Sequence, residues 1–94
     1  MEIIWRQTAL SDLKSIRAFI AQDNIAAADN VSSAIRTAVG RLANYPDLGR
    51  AGRIDRTREL TVPDMPYIVA YRVAENQVRI VAIIHTSRQW PQRL

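Results

Sequence analysis

Two apolar stripes joined by a very short connection constrain the fold of this chain more than any other feature. The first stripe has helical spacing and consists of Ala9, Leu13, Ile16 and Ile20, with Phe19 beside it. The second alternates steps of three and four residues and consists of Ala28, Val31, Ile35, Ala38 and Leu42. Only the polar stretch 22–24 separates them, so we predict an antiparallel helical hairpin whose helices are capped by Thr8 and Asn24.

Four β-rich runs accompany the hairpin, at Glu2–Arg6, Thr57–Val62, Tyr67–Val73 and Gln77–His85. The last two runs are separated by residues 74–76, a length suited to a β-hairpin. The stretch 46–56 contains two of the three glycines and is predicted to be an irregular loop. The order strand, helix, helix, strand, strand, strand predicts one α+β domain over residues 1–94, with the helices packed on a small sheet.

Alternation along the strands predicts a second apolar sheet face. Successive side chains of a strand point to opposite faces, which groups Ile68 and Ala70 with Val81 and Ile83. One helical hairpin can cover only one side of the sheet. Either the C-terminal tail folds back over the second face, or a binding partner covers it.

Net charge and composition narrow the classes of partner and site. The net charge is +4 and twelve of the thirteen basic residues are arginine, which indicates an acidic partner such as nucleic acid, unless codon bias explains the arginines. The absence of cysteine excludes disulfides and thiolate zinc sites. No apolar run is long enough to span a membrane, and the N-terminus lacks a secretory pattern, so we expect a cytoplasmic protein.

The segment HTSRQWP at residues 85–91 holds the single histidine, His85, which is either a general base or a structural residue. Without a second histidine or a tight acidic cluster, no metal site is expected. No GxSxG-like turn presents a nucleophile. Trp90 in the same segment either packs back onto the sheet or inserts into a partner.

A second candidate is a run of arginines in the predicted loop. Four arginines stand against Asp55 between residues 50 and 58, namely Arg50, Arg53, Arg56 and Arg58. The run is either a solvated basic loop or a clamp for phosphate or carboxylate groups.

The ordered set of these motifs resembles the ParE/RelE superfamily of toxins from type II toxin–antitoxin systems. It covers nearly the whole chain and consists of Trp5, Ala9, DL at 12–13, FI at 19–20, GR at 49–50 and 52–53, TREL at 57–60, PYIVAYRV at 66–73, VRIVAIIH at 78–85 and RQWP at 88–91. The resemblance implies a β-α-α-β-β-β fold with the helical hairpin on a small twisted antiparallel sheet. It also implies an antitoxin partner and no cofactor.

The superfamily includes ribosome-dependent mRNA endonucleases of the RelE type and DNA gyrase inhibitors of the ParE type. Ile68 stands where the nucleases usually carry an arginine, their lysine-rich loop is missing, and TREL and HxxRxWP are more similar to the ParE branch. The resemblance therefore favours a gyrase inhibitor that is not itself an enzyme. Its implied target-binding residues are Arg58, Arg72, His85, Arg88 and Trp90, and a ParD-like antitoxin would bind Ile68, Ala70, Val81 and Ile83.

Two alternatives stay open at this point. In an mRNA endonuclease acting on the ribosome, His85 would be the general acid or base, and Arg58, Arg72 or Arg88 would hold the scissile phosphate. In a non-toxic relative, the domain would serve only as a binding or regulatory partner.

Overall fold

The computed structural model describes residues 1–92 and 94, and its elements follow the predicted α+β order. The helices and strands are β1 (Glu2–Trp5), α1 (Gln7–Ala21), α2 (Ile25–Arg41), β2 (Arg50–Ala51), β3 (Arg58–Thr61), β4 (Tyr67–Ala74) and β5 (Gln77–His85). The helical hairpin covers one face of the sheet. The main core lies between the two layers and is formed mainly by Leu13, Ile35, Leu42, Val69, Tyr71 and Ile80.

The two helix starts differ from each other. Asn24 caps α2 as predicted, because its Oδ1 accepts a hydrogen bond from the backbone N–H of Ala27 at 3.0 Å. The prediction that Thr8 caps α1 is wrong, since α1 begins at Gln7 and no side chain caps it. The Thr8 hydroxyl instead donates to the carbonyl oxygen of Val81 at 2.7 Å. It ties the helix to the sheet.

The sheet has the strand order β1-β5-β4-β3-β2. The expectation of a fully antiparallel sheet is wrong at one pair, because β1 runs parallel to β5. The predicted irregular loop also contains the short edge strand β2, which pairs with β3. The β4–β5 turn is tighter than predicted: Glu75 and Asn76 both have positive φ, at 54° and 61°, as a two-residue type I′ turn requires.

A β-bulge in β5 overturns part of the predicted face assignment. Ala70 is opposite Ala82, but the next residue of β4, Tyr71, is opposite Ile80, so Val81 is an extra residue. The alternation of side chains therefore shifts by one at this point. Ile83 belongs to the core beneath the helices, and Ala82 lies with Ala70 on the opposite face. The unbroken alternation predicts that Val81 and Ile83 share a face with Ile68 and Ala70. The bulge makes this prediction wrong.

Helix α1 continues the hydrogen bonding of β1 along the edge of β5. The last bond of the strand region joins Arg6 N–H to the carbonyl of Ile80 at 3.0 Å. Beyond it, Thr8 bonds the carbonyl of Val81, and Asp12 Oδ2 accepts from Ile83 N–H at 3.0 Å. Two helical side chains four residues apart thus satisfy backbone groups that a longer β1 would have bonded.

The C-terminal tail covers the second sheet face, which answers the question that the sequence left open. Trp90 and Leu94 pack against a small cluster of Ala70, Ala82 and Ile84. The Arg72 guanidinium adds a bond from Nη2 to the carbonyl oxygen of Leu94 at 2.8 Å. The face is therefore closed within the chain itself.

Candidate functional site

A cleft opens between α1 and the ends of β4 and β5, and we call it the α1 cleft. Its volume is about 520 Å³, and its lining consists of Asp12, Ser15, Ile16, Phe19, Ile20, Tyr67, Ile83, His85 and Arg88. One wall is helical and mainly apolar, and the other carries the histidine and an arginine. The segment HTSRQWP at residues 85–91 leaves the sheet at this cleft.

His85 is held by its neighbours on two sides. Its ring lies edge-on to Tyr67, with ring centroids 5.2 Å apart and an interplanar angle of 88°. The backbone N–H of Ser87 donates to Nδ1 at 3.1 Å, and the Ser87 hydroxyl lies 2.7 Å from the same atom. Because Nδ1 accepts, the neutral ring carries its proton on Nε2, which is the nitrogen left for a partner.

Asp12 is the carboxylate of the cleft. Burial raises the pKa of Asp12, and the hydrogen bond from Ile83 N–H and the charge of Arg88 offset only part of that rise. Its first role is structural, since it satisfies a strand N–H.

The apolar wall of the cleft includes an unusually exposed aromatic side chain. Phe19 on α1 is 72% exposed, and Ile25 at the start of α2 is 65% exposed. Phe19 adjoins Ile16 and Ile20 along the same helix and cleft. An exposed phenylalanine next to a concave surface is typical of a protein-binding site.

The structure separates the five predicted target-binding residues. His85 and Arg88 line the α1 cleft, but Arg58 and Arg72 do not. Arg58 is opposite Tyr71, whereas His85 is opposite Tyr67. Four residues of strand span about 13 Å, so Arg58 and His85 are separated by about that distance along the strands.

Both distant arginines are bonded to backbone carbonyls. Arg58 Nη1 donates to the carbonyl of Gly49 at 2.7 Å, beside the Tyr71 hydroxyl that accepts from Gly49 N–H. Arg72 donates to the carbonyls of Asp55 and Leu94. Through these contacts the two arginines hold the loop and the C-terminal tail in place.

Trp90, the fifth residue, packs on the second face beneath an arginine. The guanidinium carbon of Arg53 lies 3.7 Å from the centroid of the Trp90 ring. The buried indole Nε1 has no hydrogen-bond partner among the residues that the structure describes. Of the two predicted possibilities for this tryptophan, the structure shows packing onto the sheet.

Glu59 organises this region and was not identified from the sequence. It is 4% exposed and accepts from the Arg53 backbone at 2.8 Å and from the Arg53 and Arg50 guanidinium groups. Burial alone would raise the pKa of Glu59, but the bonds from Arg53, its charge and the bond from Arg50 outweigh burial and lower it. The available signal was an acidic residue directly after the last arginine of the run, inside a predicted strand.

The described part of the chain, residues 1–92 and 94, holds neither a cluster of metal ligands nor a membrane-spanning helix. No group of three histidine, cysteine, aspartate or glutamate side chains there is arranged to hold a metal ion. Neither helix there has the length and apolar character to cross a membrane.

Comparison with known proteins gives consistent results. The model of a family described as the ParE toxin of type II toxin–antitoxin system, parDE, matches residues 3–90. The chain is 47% identical over 92 residues to a protein named as toxin Y4kP in Sinorhizobium fredii, covering 98% of this chain and 95% of that protein. It is 37% identical over 87 residues to toxin RelE2 of Caulobacter vibrioides, covering 93% of this chain and 97% of that toxin.

The fold also matches a solved structure, that of the chromosomal ParDE TA system from P. aeruginosa. The TM-score is 0.82 at 22% sequence identity, and the match covers 93% of this chain and 97% of that one. At this level of identity the likeness concerns the fold, and it confirms the α+β architecture with two helices on one sheet.

Proposed function

The chain belongs to the ParE toxin family of type II toxin–antitoxin systems, and on that premise we propose that it inhibits DNA gyrase and is neutralised by a ParD-like antitoxin. The toxin acts by binding, and the α1 cleft is its contact surface for partners. Within the cleft, His85 and Arg88 are the polar contacts and Phe19 is the apolar one.

The separation of the basic side chains is the observation that carries the proposal over the nuclease alternative. An RNA-cleaving site needs cations and a general base around a single phosphate, because the charge that develops there must be stabilised at short range. Arg58 and Arg72 lie about 13 Å or more along the sheet from His85 and are bonded to carbonyls. A binding surface does not require its basic side chains to meet at one point.

The cleft also suits an antitoxin better than the second sheet face that the resemblance implied. Ile68 and Ala70 are 6% and 0% exposed, and the tail covers their face, so a partner would first have to displace the tail. In the α1 cleft, an apolar side chain of the antitoxin would pack on Ile16, Phe19 and Ile20. An acidic side chain beside it would pair with Arg88, in keeping with the net charge of +4.

The nuclease alternative retains one supporting observation, since His85 and Arg88 do share the cleft. A paired assay separates the two functions. Purified toxin is added to gyrase with plasmid, and in parallel to a translating extract whose mRNA is mapped for cuts. We expect loss of supercoiling and accumulation of linear DNA. Cuts positioned on codons would contradict the gyrase proposal, and no response in either assay would favour a non-toxic relative.

Variants then test the cleft. Arg88→Gln should raise the toxin concentration needed for half-inhibition of gyrase about tenfold, as expected for loss of one contact worth about 1.4 kcal/mol. Arg36→Gln removes the same charge from an exposed position on α2 and should change nothing. If the toxin were a nuclease, His85→Ala would instead slow mRNA cleavage about 10²-fold or more.

The antitoxin site has its own matched pair of variants. Phe19→Ser should weaken antitoxin binding at least tenfold by calorimetry, because it removes the exposed apolar anchor. Tyr45→Ser alters another exposed aromatic residue, 60% exposed and outside the cleft lining, and should leave the affinity unchanged. Equal losses in the two variants would place the antitoxin elsewhere.

A further inference from the structure

The segment 50–58, here called the basic loop, carries most of the chain's excess positive charge and has no part in the proposed function. It contains Arg50, Arg53, Arg56 and Arg58 against Asp55, a local net charge of +3 in a chain of net +4. A positive field concentrated in nine residues attracts polyanions.

Hydrogen bonds hold the basic loop in one shape. Gly52 N–H donates to the carbonyl of Thr57 at 2.8 Å, and Thr57 N–H donates back to Ile54 at 3.2 Å. Glu59 binds the backbone and side chain of Arg53 from below, and Arg72 binds the carbonyl of Asp55. The conformational entropy of ordering this loop has been spent in folding, so a ligand would not have to order it again.

The arginines of the loop are not equally free. Arg53 is matched by Glu59, and Arg58 holds the carbonyl of Gly49. Arg50 reaches Glu59 only at 3.4 Å, and its side chain is 68% exposed. Arg56 is exposed and forms no ion pair within residues 1–92 and 94. Arg50 and Arg56 are therefore the two cations available to a ligand.

A shallow groove of about 340 Å³ lies beside Arg56, one of these two cations. It is lined by Ala51, Gly52, Asp55, Arg56, Thr57 and Arg58, with Val73 at its side. A Cβ atom at position 52 would lie 2.9 Å from the carbonyl oxygen of Thr57, so the loop requires glycine there. Gly52 therefore helps to fix the shape in which the loop presents its arginines.

We propose that the basic loop binds the phosphodiester backbone of duplex DNA, with Arg50 and Arg56 as its phosphate contacts. Single-stranded nucleic acid is bound chiefly by aromatic side chains on which bases stack. The nearby aromatic ring, Trp90, is covered by Arg53 and packs on the sheet, so it offers no stacking surface. Charge without stacking fits a duplex, whose bases face inward and whose phosphates face outward.

The test uses the whole protein, without gyrase or antitoxin, and a labelled duplex of about 20 base pairs followed by fluorescence anisotropy at several salt concentrations. The double variant Arg50→Gln/Arg56→Gln should bind about tenfold more weakly and lower the slope of log affinity against log salt by about two. Asp55→Asn should bind about threefold more tightly, because it removes the one negative charge in the loop.

The matched control is Arg36→Gln/Arg41→Gln, which removes two exposed charges from α2. Equal weakening by both double variants would show a diffuse charge effect and overturn the proposal. So would a wild-type protein that binds no duplex at low salt, or one that binds only single-stranded RNA. Thermal melting checks that the variants fold, and Asp55→Asn tests the loop without removing an arginine. Failure of the gyrase assay leaves the inference standing, because DNA binding is measured directly.

Discussion

Two carboxylates lie on either side of β4, Asp12 beside β5 and Glu59 on β3, and their pKa shifts are opposite. Asp12 accepts from the N–H of Ile83 at 3.0 Å, and Glu59 accepts from the N–H of Arg53 at 2.8 Å. Burial by itself raises the pKa of both carboxylates. The pKa of Asp12 is nevertheless raised and that of Glu59 lowered.

The difference comes from the cations. Glu59 is bonded directly by two guanidinium groups, whereas Asp12 feels Arg88 only through its charge, without an ion pair. One backbone bond does not offset the desolvation of a carboxylate, but the same bond together with two arginines does. The carboxylate of Glu59 is thus electrostatically satisfied, while the α1 cleft keeps an incompletely compensated acid and an arginine open to a partner.

The largest expected effect is at Glu59. Glu59→Gln should lower the free energy of unfolding by about 3 kcal/mol, because it removes the charge that joins Arg53 and Arg50 to the sheet. The half-exposed arginines can turn to water, which keeps the loss at the lower end of the range for broken buried pairs. Urea denaturation at neutral pH measures it. A loss below about 1 kcal/mol would mean that the cluster is no more than a surface ion pair.

A smaller effect is expected at Asp12, where the hydrogen bond matters more than the charge. Asp12→Ala leaves the N–H of Ile83 unpaired and should cost about 2 kcal/mol. Asp12→Asn keeps an oxygen acceptor without the buried charge and should stay within about 1 kcal/mol of the wild type. The same urea titration compares the pair, and equal costs for the two variants would refute this division of roles.

The smallest effect is a difference in pH dependence. The lowered pKa of Glu59 means that its stabilisation is present above its ordinary value of 4.5 and is lost as the pH falls through the folded-state pKa. The raised pKa of Asp12 means that its contribution is present below 3.8 and is lost as the pH rises through its folded-state pKa.

The stability difference between wild type and each variant, measured from about pH 7 to about pH 3, should therefore change in opposite directions. On acidification the wild type loses its advantage over Glu59→Gln and gains relative to Asp12→Asn. If both stability differences changed in the same direction with pH, the opposite pKa shifts of Asp12 and Glu59 would be contradicted.

The helices and the order of elements could be predicted because they depend on periodicity and local capping. Ala28, Ile35 and Ala38 are buried as their spacing required, and Asn24 caps α2. The parallel pairing of β1 and the two-residue strand β2 could not be predicted in this way. The alternation of apolar residues within a strand does not show whether it pairs in parallel or antiparallel with another strand. A strand of two residues is too short to show any periodicity.

The site was less predictable, for one local reason. The bulge at Val81 lies in the run Ile80–Ile84, where every residue is apolar, so nothing in the pattern marks where the alternation shifts. The consequence is that Ile83 was assigned to the wrong face. His85 and Arg88 line the same cleft, as their separation of three residues in the chain allows. The approach of Asp12 to Ile83 spans 71 residues and has no local sequence signal.

The pairing of β1 with β5 has a consequence for synthesis of the toxin. Glu2 pairs with Gln77, and β5 lies between β1 and β4, so the first strand made is joined to the others only through the last one. On a ribosome, the helical hairpin can form early, but β1 has no strand partner until β5 has emerged. A nascent chain interrupted before Gln77 lacks β5, the strand that joins β1 to β4, and it also lacks His85 and Arg88. Incomplete translation products should therefore lack both a complete sheet and the polar contact residues proposed for the cleft.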